Sequence, residues 1–97
     1  MTNDELKSIV SEQVMDEDTL NQTVVLEGDE FADGCIGITE DGRLVYSYER
    51  LVHSLSLHDG MSEESAIEWI EYNTLRSLPY MESQGLLAPV IVHEFDV

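Results

Sequence analysis

Residues 61–80 read MSEESAIEWIEYNTLRSLPY and form the longest helical pattern in this 97-residue chain. Ser62 suits the N-cap of a helix, and the two glutamates that follow it favour the positive end of the helix dipole. Apolar residues such as Ala66 and Ile70 recur at helical spacing and give one side that can pack on a sheet. Because the residue before a proline avoids helical angles, we expect this helix to end just before Pro79.

The opposite side of the predicted helix carries a row of glutamates. Glu64, Glu68 and Glu71 are spaced at i, i+4 and i+7, which places three carboxylates along one side. A run of charges usually marks only a solvated face. A spaced row of carboxylates on a rigid element also suits a surface that takes the place of nucleic-acid phosphates. The pattern alone leaves both interpretations open.

The clearest local pattern is a β-hairpin. Residues 35–40 and 43–47 are β-rich runs, and the Asp41-Gly42 pair between them is a strong signal for a two-residue hairpin turn. Cys35 lies in the first run, where no neighbouring His or helix N-terminus would activate its thiol. We therefore interpret Cys35 as a small core residue.

The remaining elements follow from shorter patterns. Thr2 with Glu5 forms a capping-box pattern, Ser47 suits a helix N-cap, and Gly60 suits the position after a helix C-terminus. The sequence predicts helices over residues 1–15 and 48–58, a polar connection over 16–18, a strand over 23–27, a turn-like link over 80–88 and a last strand over 89–95. This order predicts an α+β fold, in which a small antiparallel sheet (a central β-hairpin plus edge strands) packs against two or three helices. We expect a single domain over residues 1–97, with 1–22 as an N-terminal helix and linker and 23–97 as the compact core.

Residues 28–34, GDEFADG, read as a polar loop between the predicted strand and the hairpin. Asp29, Glu30 and Asp33 lack the alternate ligand spacing and the closing glutamate of an EF-hand calcium loop. We therefore expect no metal site there, and we interpret the three acids as a second acidic patch.

The strongest compositional feature is charge. Twenty-one acidic residues face four basic ones, which gives the chain a net charge of −17. Such a chain repels nucleic-acid phosphates and anionic lipids, so we expect no direct binding to nucleic acid or to a membrane. It attracts basic protein surfaces, although acidity also serves solubility or adaptation to salt.

The sequence contains no catalytic or cofactor-binding pattern. It has no Gly-rich phosphate loop, no Cys/His metal spacing and no Ser-His-Asp arrangement, and its single cysteine cannot form an intrachain disulfide. There is no apolar run of membrane-spanning length and no signal-peptide pattern at the N-terminus. We expect a soluble, cytoplasmic protein that is not an enzyme and needs no cofactor.

Four segments follow one another in a specific order between residues 31 and 92. They are GCIGITEDGRLVYSYERLV at 34–52, DGMSEESAIEWIEYNTL at 59–75, RSLPYM at 76–81 and APVIV at 88–92. In this order the chain resembles a family of small proteins encoded by phages and prophages, except that residues 82–87 lengthen the link before the last segment. The resemblance implies a phage accessory origin and a compact α+β module, and it transfers no catalytic residues.

Two hypotheses about function follow from these features. The first joins the acidity to the phage origin implied by the resemblance: a non-enzymatic inhibitor of a host nucleic-acid-binding defence system, such as a CRISPR effector, that acts through an acidic, nucleic-acid-mimicking surface. Its candidate partner-binding residues are Glu64, Glu68 and Glu71, with Asp29, Glu30 and Asp33 as the second patch. The alternative is a phage protein-interaction module that self-associates as a homodimer or binds through apolar contacts. Its candidate residues are Leu6, Ile9, Val10 and Trp69.

Overall fold

The fold combines helices with a small sheet, as seen in a computed structural model that describes residues 1–95. In chain order the elements are α1 (Asn3–Gln13), α2 (Glu17–Gln22), α3 (Asp29–Ala32), β1 (Cys35–Ile38), β2 (Leu44–Ser47), α4 (Tyr48–Asp59), α5 (Glu63–Trp69), a π-helical segment (Ile70–Leu75), α6 (Arg76–Ser83) and β3 (Val90–Val92). This content confirms the predicted α+β class. The elements α5, the π segment and α6 follow without a break, so residues 63–83 form one long helix.

The sheet is mixed, and the prediction of an antiparallel sheet was wrong. Its strand order is β1-β2-β3. The predicted hairpin is confirmed, with Ile38 opposite Leu44 in antiparallel register, but β3 pairs in parallel with β2 and places Val90 opposite Val45. The chain between β2 and β3 passes through α4, α5 and α6, and a long crossover of this kind allows the next strand to run in the same direction.

A β-bulge interrupts the hairpin at Ile36. Cys35 pairs with Tyr46, and Gly37 pairs with the adjacent residue Val45. Ile36 is therefore an extra residue of β1 that has no partner on β2. The bulge changes the direction of the side chains, and Ile36 is 42% exposed while Ile38 is half-buried. β1 is an edge strand, so within residues 1–95 no further strand lies beyond Ile36 in the sheet.

The core lies between the central strand β2 and the helices. Tyr46, Leu44, Leu51, Leu55 and Ile70 are among the largest fully buried side chains. The Tyr46 hydroxyl accepts a hydrogen bond from the Leu26 N–H at 3.1 Å, which satisfies a buried polar group, and burial raises the pKa of this phenol. The terminal helix α1 joins the same core, because its Leu6 and Val10 are each only 4% exposed.

The predicted helix caps are confirmed. Thr2 and Glu5 form a capping box at the start of α1, Ser47 accepts the Arg50 N–H at the start of α4, and Ser62 accepts the Ser65 N–H at the start of α5. Gly60 closes α4 with a left-handed φ of 67°. These signals are local in sequence, which is why the pattern predicts them well.

The sequence predicted that the long helix ends just before Pro79, but the helix continues to Ser83. The π segment interrupts the α-helical register just ahead, and α6 restarts at Arg76. Pro79 therefore lies inside the continuous helix, where it lacks the N–H that would donate to the carbonyl four residues earlier. The predicted link over 80–88 is correspondingly shorter, and the last strand is only three residues long.

The region before the hairpin also differs from the prediction. Residues 16–18 begin α2 instead of forming a connection, and residues 28–34 contain α3 instead of only a loop. The predicted strand over 23–27 is reduced to one parallel bridge between Thr23 and Leu87. Its backbone groups bond elsewhere: the Val24 N–H donates to the Leu87 carbonyl, and the Leu26 N–H donates to Tyr46.

The segment after β3 is fastened to the start of α4. Glu94 accepts hydrogen bonds from the Ser47 hydroxyl at 2.7 Å and the Arg50 Nε at 3.1 Å. Glu49 in turn accepts the Glu94 N–H at 2.6 Å and lies 2.7 Å from His93 Nδ1. These contacts hold the pKa of both glutamates below the usual range: the Glu94 N–H contributes most at Glu49, and the Ser47 hydroxyl contributes most at Glu94.

Candidate partner-binding site

The candidate site is the outer side of α5, and the inner side of this helix fixes its orientation. Ala66 and Ile70 are fully buried, and Thr74 is 5% exposed. Glu64 and Glu68 lie on the opposite side and are exposed, as the helical spacing predicts. Neither carboxylate has a hydrogen bond or ion pair with another residue in the range 1–95.

The π segment modifies the position of the third glutamate. Its wider turn begins at Ile70, so Glu71 does not continue the α-helical register of Glu64 and Glu68. Glu71 is exposed and lies near Tyr48, where partial burial first and the charge of Glu71 second raise the pKa of the tyrosine hydroxyl. The three predicted carboxylates therefore share one helix but not one straight row.

Glu68 and Glu71 come together at a shallow cleft of about 470 Å³, which Tyr72 and Arg76 also line. The Arg76 guanidinium lies 4.3 Å from the centroid of the Tyr72 ring, a cation–π geometry. Tyr72 and Tyr80 are each 68% exposed. The sequence patterns did not draw attention to these residues, although their spacing at 72, 76 and 80 is a signal for a single helical row.

The lysine and arginine side chains contact residues other than Glu64 and Glu68. Lys7 pairs with Glu27 at 3.2 Å, Arg43 pairs with Asp41 at 3.0 Å and with Glu82 at 2.6 Å, Arg50 pairs with Glu94 at 3.1 Å, and Arg76 stacks on Tyr72. Within residues 1–95, therefore, no lysine or arginine forms an ion pair with Glu64 or Glu68. Their negative charge stays directed at solvent.

The second predicted patch, Asp29, Glu30 and Asp33, is placed differently. Asp29 Oδ1 accepts the Asn3 N–H at 2.7 Å, which satisfies one of the free donors at the start of α1. Asp33 lies 2.8 Å from the Met1 amino group and 3.3 Å from His58 Nε2. The hydrogen bond from the amino group is the main reason why the pKa of Asp33 is lowered. Glu30 is half-buried.

The apolar residues proposed for self-association are mostly not available. Leu6 and Val10 are each 4% exposed and belong to the core. Trp69 is half-buried, and its ring centroid lies 5.5 Å from that of Phe31. Of these four residues only Ile9, at 44% exposure, presents a large apolar surface.

Cys35 is half-buried beside the apolar side of α1, and burial raises the pKa of its thiol. A raised pKa reduces the thiolate fraction, which is the reactive form. In the part of the chain that the structure describes, no group of three His, Cys, Asp or Glu side chains is arranged to hold a metal ion.

None of the helices within residues 1–95 combines the length and the apolar character that crossing a membrane requires. Comparisons of the chain with protein-family models, with curated proteins and with solved structures found no match.

Proposed function

We propose that this chain is a non-enzymatic binding protein that occupies the basic, nucleic-acid-binding surface of another protein. The observation that carries the proposal is the unpaired state of Glu64 and Glu68 on a rigid helix. Glu71 adds a third exposed carboxylate one turn further along, at the edge of the Tyr72 cleft. Carboxylates held in this way can contact the lysines and arginines that otherwise bind phosphates.

The charge of the whole chain supports the same proposal. A net charge of −17 on 97 residues produces a long-range attraction toward basic surfaces and accelerates encounter with them. The unpaired carboxylates on α5 then give this attraction a defined contact area. In this account the loop acids Asp29 and Asp33 contribute to the overall field but remain bonded within the fold.

The narrower form of the proposal is an anti-CRISPR type inhibitor of a host defence system. It rests on the resemblance of residues 31–92 to small phage-encoded proteins, combined with the acidic surface. In that setting the chain acts in the cytoplasm of the host cell, where the effector's nucleic-acid channel supplies the basic surface.

A displacement experiment tests the proposal. The immobilised chain is used to capture proteins from host lysate at about 50 mM salt, and the captured protein is then loaded with a labelled oligonucleotide. The proposal predicts that adding the free chain releases the oligonucleotide, and that about 300 mM salt weakens this competition. Simultaneous binding of the oligonucleotide and the chain to the captured protein would contradict it.

A further inference from the structure

Two neighbouring clefts lie along α1 and the hairpin, away from the acidic side of α5, and are together called the groove. Its first part is a cleft of about 290 Å³ between Ile9 and Val10 of α1 and Cys35, Ile36 and Ile38 of β1. A second cleft of about 740 Å³ continues from it beside the hairpin turn. The two clefts share Gln13 and Ile38 as lining residues, so they lie side by side, and each cleft is one end of the groove.

The first end of the groove is apolar and partly open to solvent. Ile9 is 44% exposed and Ile36 is 42% exposed, and neither is a member of the core cluster. The β-bulge at Ile36 and the position of β1 at the edge of the sheet create this surface. Covering two half-exposed isoleucines is favourable, because each square ångström of apolar surface removed from water contributes about 25 cal/mol.

The other end of the groove is acidic. Asp16, Glu40 and Asp41 line the second cleft. Asp41 is paired with Arg43 and Asp16 caps α2, whereas Glu40 is exposed and has no ion pair with any residue in the described range. On α1, Glu12 stands three residues after Ile9 and so lies on the same side of the helix, whereas Glu5 is bonded to Thr2 in the capping box.

We propose that this groove binds a segment of another protein in which a block of apolar residues adjoins a block of lysines or arginines. The apolar block covers Ile9 and Ile36, and the basic block lies near Glu12, Asp16 and Glu40. Charge complementarity selects this occupant over a second copy of the chain, because two copies would bring acidic ends of the same negative charge together. The proposal does not depend on the acidic side of α5, which lies on different elements.

Selection from a displayed library of random 12-residue peptides tests the proposal on the intact chain. We expect enrichment of peptides that contain adjoining apolar and basic blocks. The double variant Ile9→Ser with Ile36→Ser should weaken binding of a selected peptide about tenfold in fluorescence anisotropy, since it removes apolar surface that the peptide covers. Both residues are partly exposed and lie outside the core cluster, so the variant is expected to fold.

Two further variants separate the two ends of the groove from general effects. Glu40→Lys should weaken the same peptide at low salt and have little effect at high salt. Leu57→Ser removes a leucine of α4 that is 69% exposed and does not line the groove, so it should leave binding unchanged. Reversal of the α5 glutamates should also leave peptide affinity within about twofold at high salt.

Three results would overturn the proposal. They are failure to enrich such peptides, enriched peptides that bind the double isoleucine variant as tightly as the original chain, and a dimer of the chain that this double variant abolishes. The last result would assign the groove to a second copy, and light scattering detects it directly. Because the peptide experiment needs no host protein, its failure is distinguishable from failure of the proposed function.

Discussion

Two acidic regions of this molecule have similar composition but different surroundings. Asp29 and Asp33, at the two ends of α3, bond to groups far away in the sequence, namely the Asn3 N–H and the His58 ring. Glu64 and Glu68 on α5 have no such partner among residues 1–95. The number of acidic residues in a region therefore does not locate a binding surface, because some of the carboxylates bond to other residues of the fold.

The largest expected difference between the two regions is in stability. Asp29→Ala should lower the free energy of unfolding by about 1–2 kcal/mol, because it leaves a donor at the start of α1 without its acceptor. For a domain of this size we expect the Tm to fall by roughly 5–10 °C. Thermal unfolding followed by circular dichroism measures the change.

The matched control for this prediction is Glu68→Gln, which removes a carboxylate beyond the first turn of α5 that has no partner within the described residues. Its Tm should stay within about 2 °C of that of the original chain. Equal losses for the two variants would remove the distinction between the regions.

A smaller difference is expected in the response to acid. The pKa values of Glu49 and Glu94 are lower in the folded chain than the ordinary value of 4.5. Their contribution to stability is therefore present above the unfolded pKa and is lost as the pH falls through the folded pKa. Replacing Glu94 by Gln should reduce the drop in Tm between about pH 6 and about pH 3.

The control for the acid experiment is Leu57→Ser, which changes an exposed residue of α4 and no titratable group. Its acid-induced drop in Tm should be as large as that of the original chain. A pH profile for Glu94→Gln that matches the original profile would show that the contacts to Ser47 and Arg50 do not stabilise the fold.

The smallest expected effect is a gain in stability. Glu64 and Glu68 are like charges four residues apart on one helix, and such pairs cost about 0.2–0.5 kcal/mol. Glu68→Gln should therefore raise the free energy of unfolding by a few tenths of a kcal/mol at low salt, and urea titration at two salt concentrations can detect it. A loss of stability would indicate that Glu68 has a structural role like that of Asp29.

The sequence predicted the elements whose signals are local. The Asp41-Gly42 turn, the caps at Thr2, Ser47 and Ser62, and the exposed side of α5 each depend on residues within a few positions of one another. The α+β class followed from the order of these elements. Local patterns were sufficient because turn geometry and capping depend mainly on the nearest backbone groups.

The features that the sequence did not predict depend on distant contacts. The segment 23–27 looks like a strand, but Leu87 and Tyr46 take up its hydrogen-bonding groups, and these partners are far away in the chain. The parallel placement of β3 depends on where the three preceding helices lead. Within the candidate site, the π segment takes Glu71 out of the α-helical register of Glu64 and Glu68. The Asp29 carboxylate accepts the Asn3 N–H and so is bonded within the fold. Helical spacing and charge alone therefore predicted the site only in part.

The central claim is that the exposed carboxylates of Glu64, Glu68 and Glu71 contact a basic partner surface. The most direct measurement is the rate of association with the captured partner for the triple variant Glu64→Lys, Glu68→Lys and Glu71→Lys. Its control is Asp4→Lys, Asp18→Lys and Asp59→Lys, which changes the net charge equally at exposed positions outside α5. We predict that the α5 variant associates at least about tenfold more slowly than the control at low salt, with a difference that shrinks at high salt. Equal rates for the two variants would contradict the account, because they would show that only the overall charge matters.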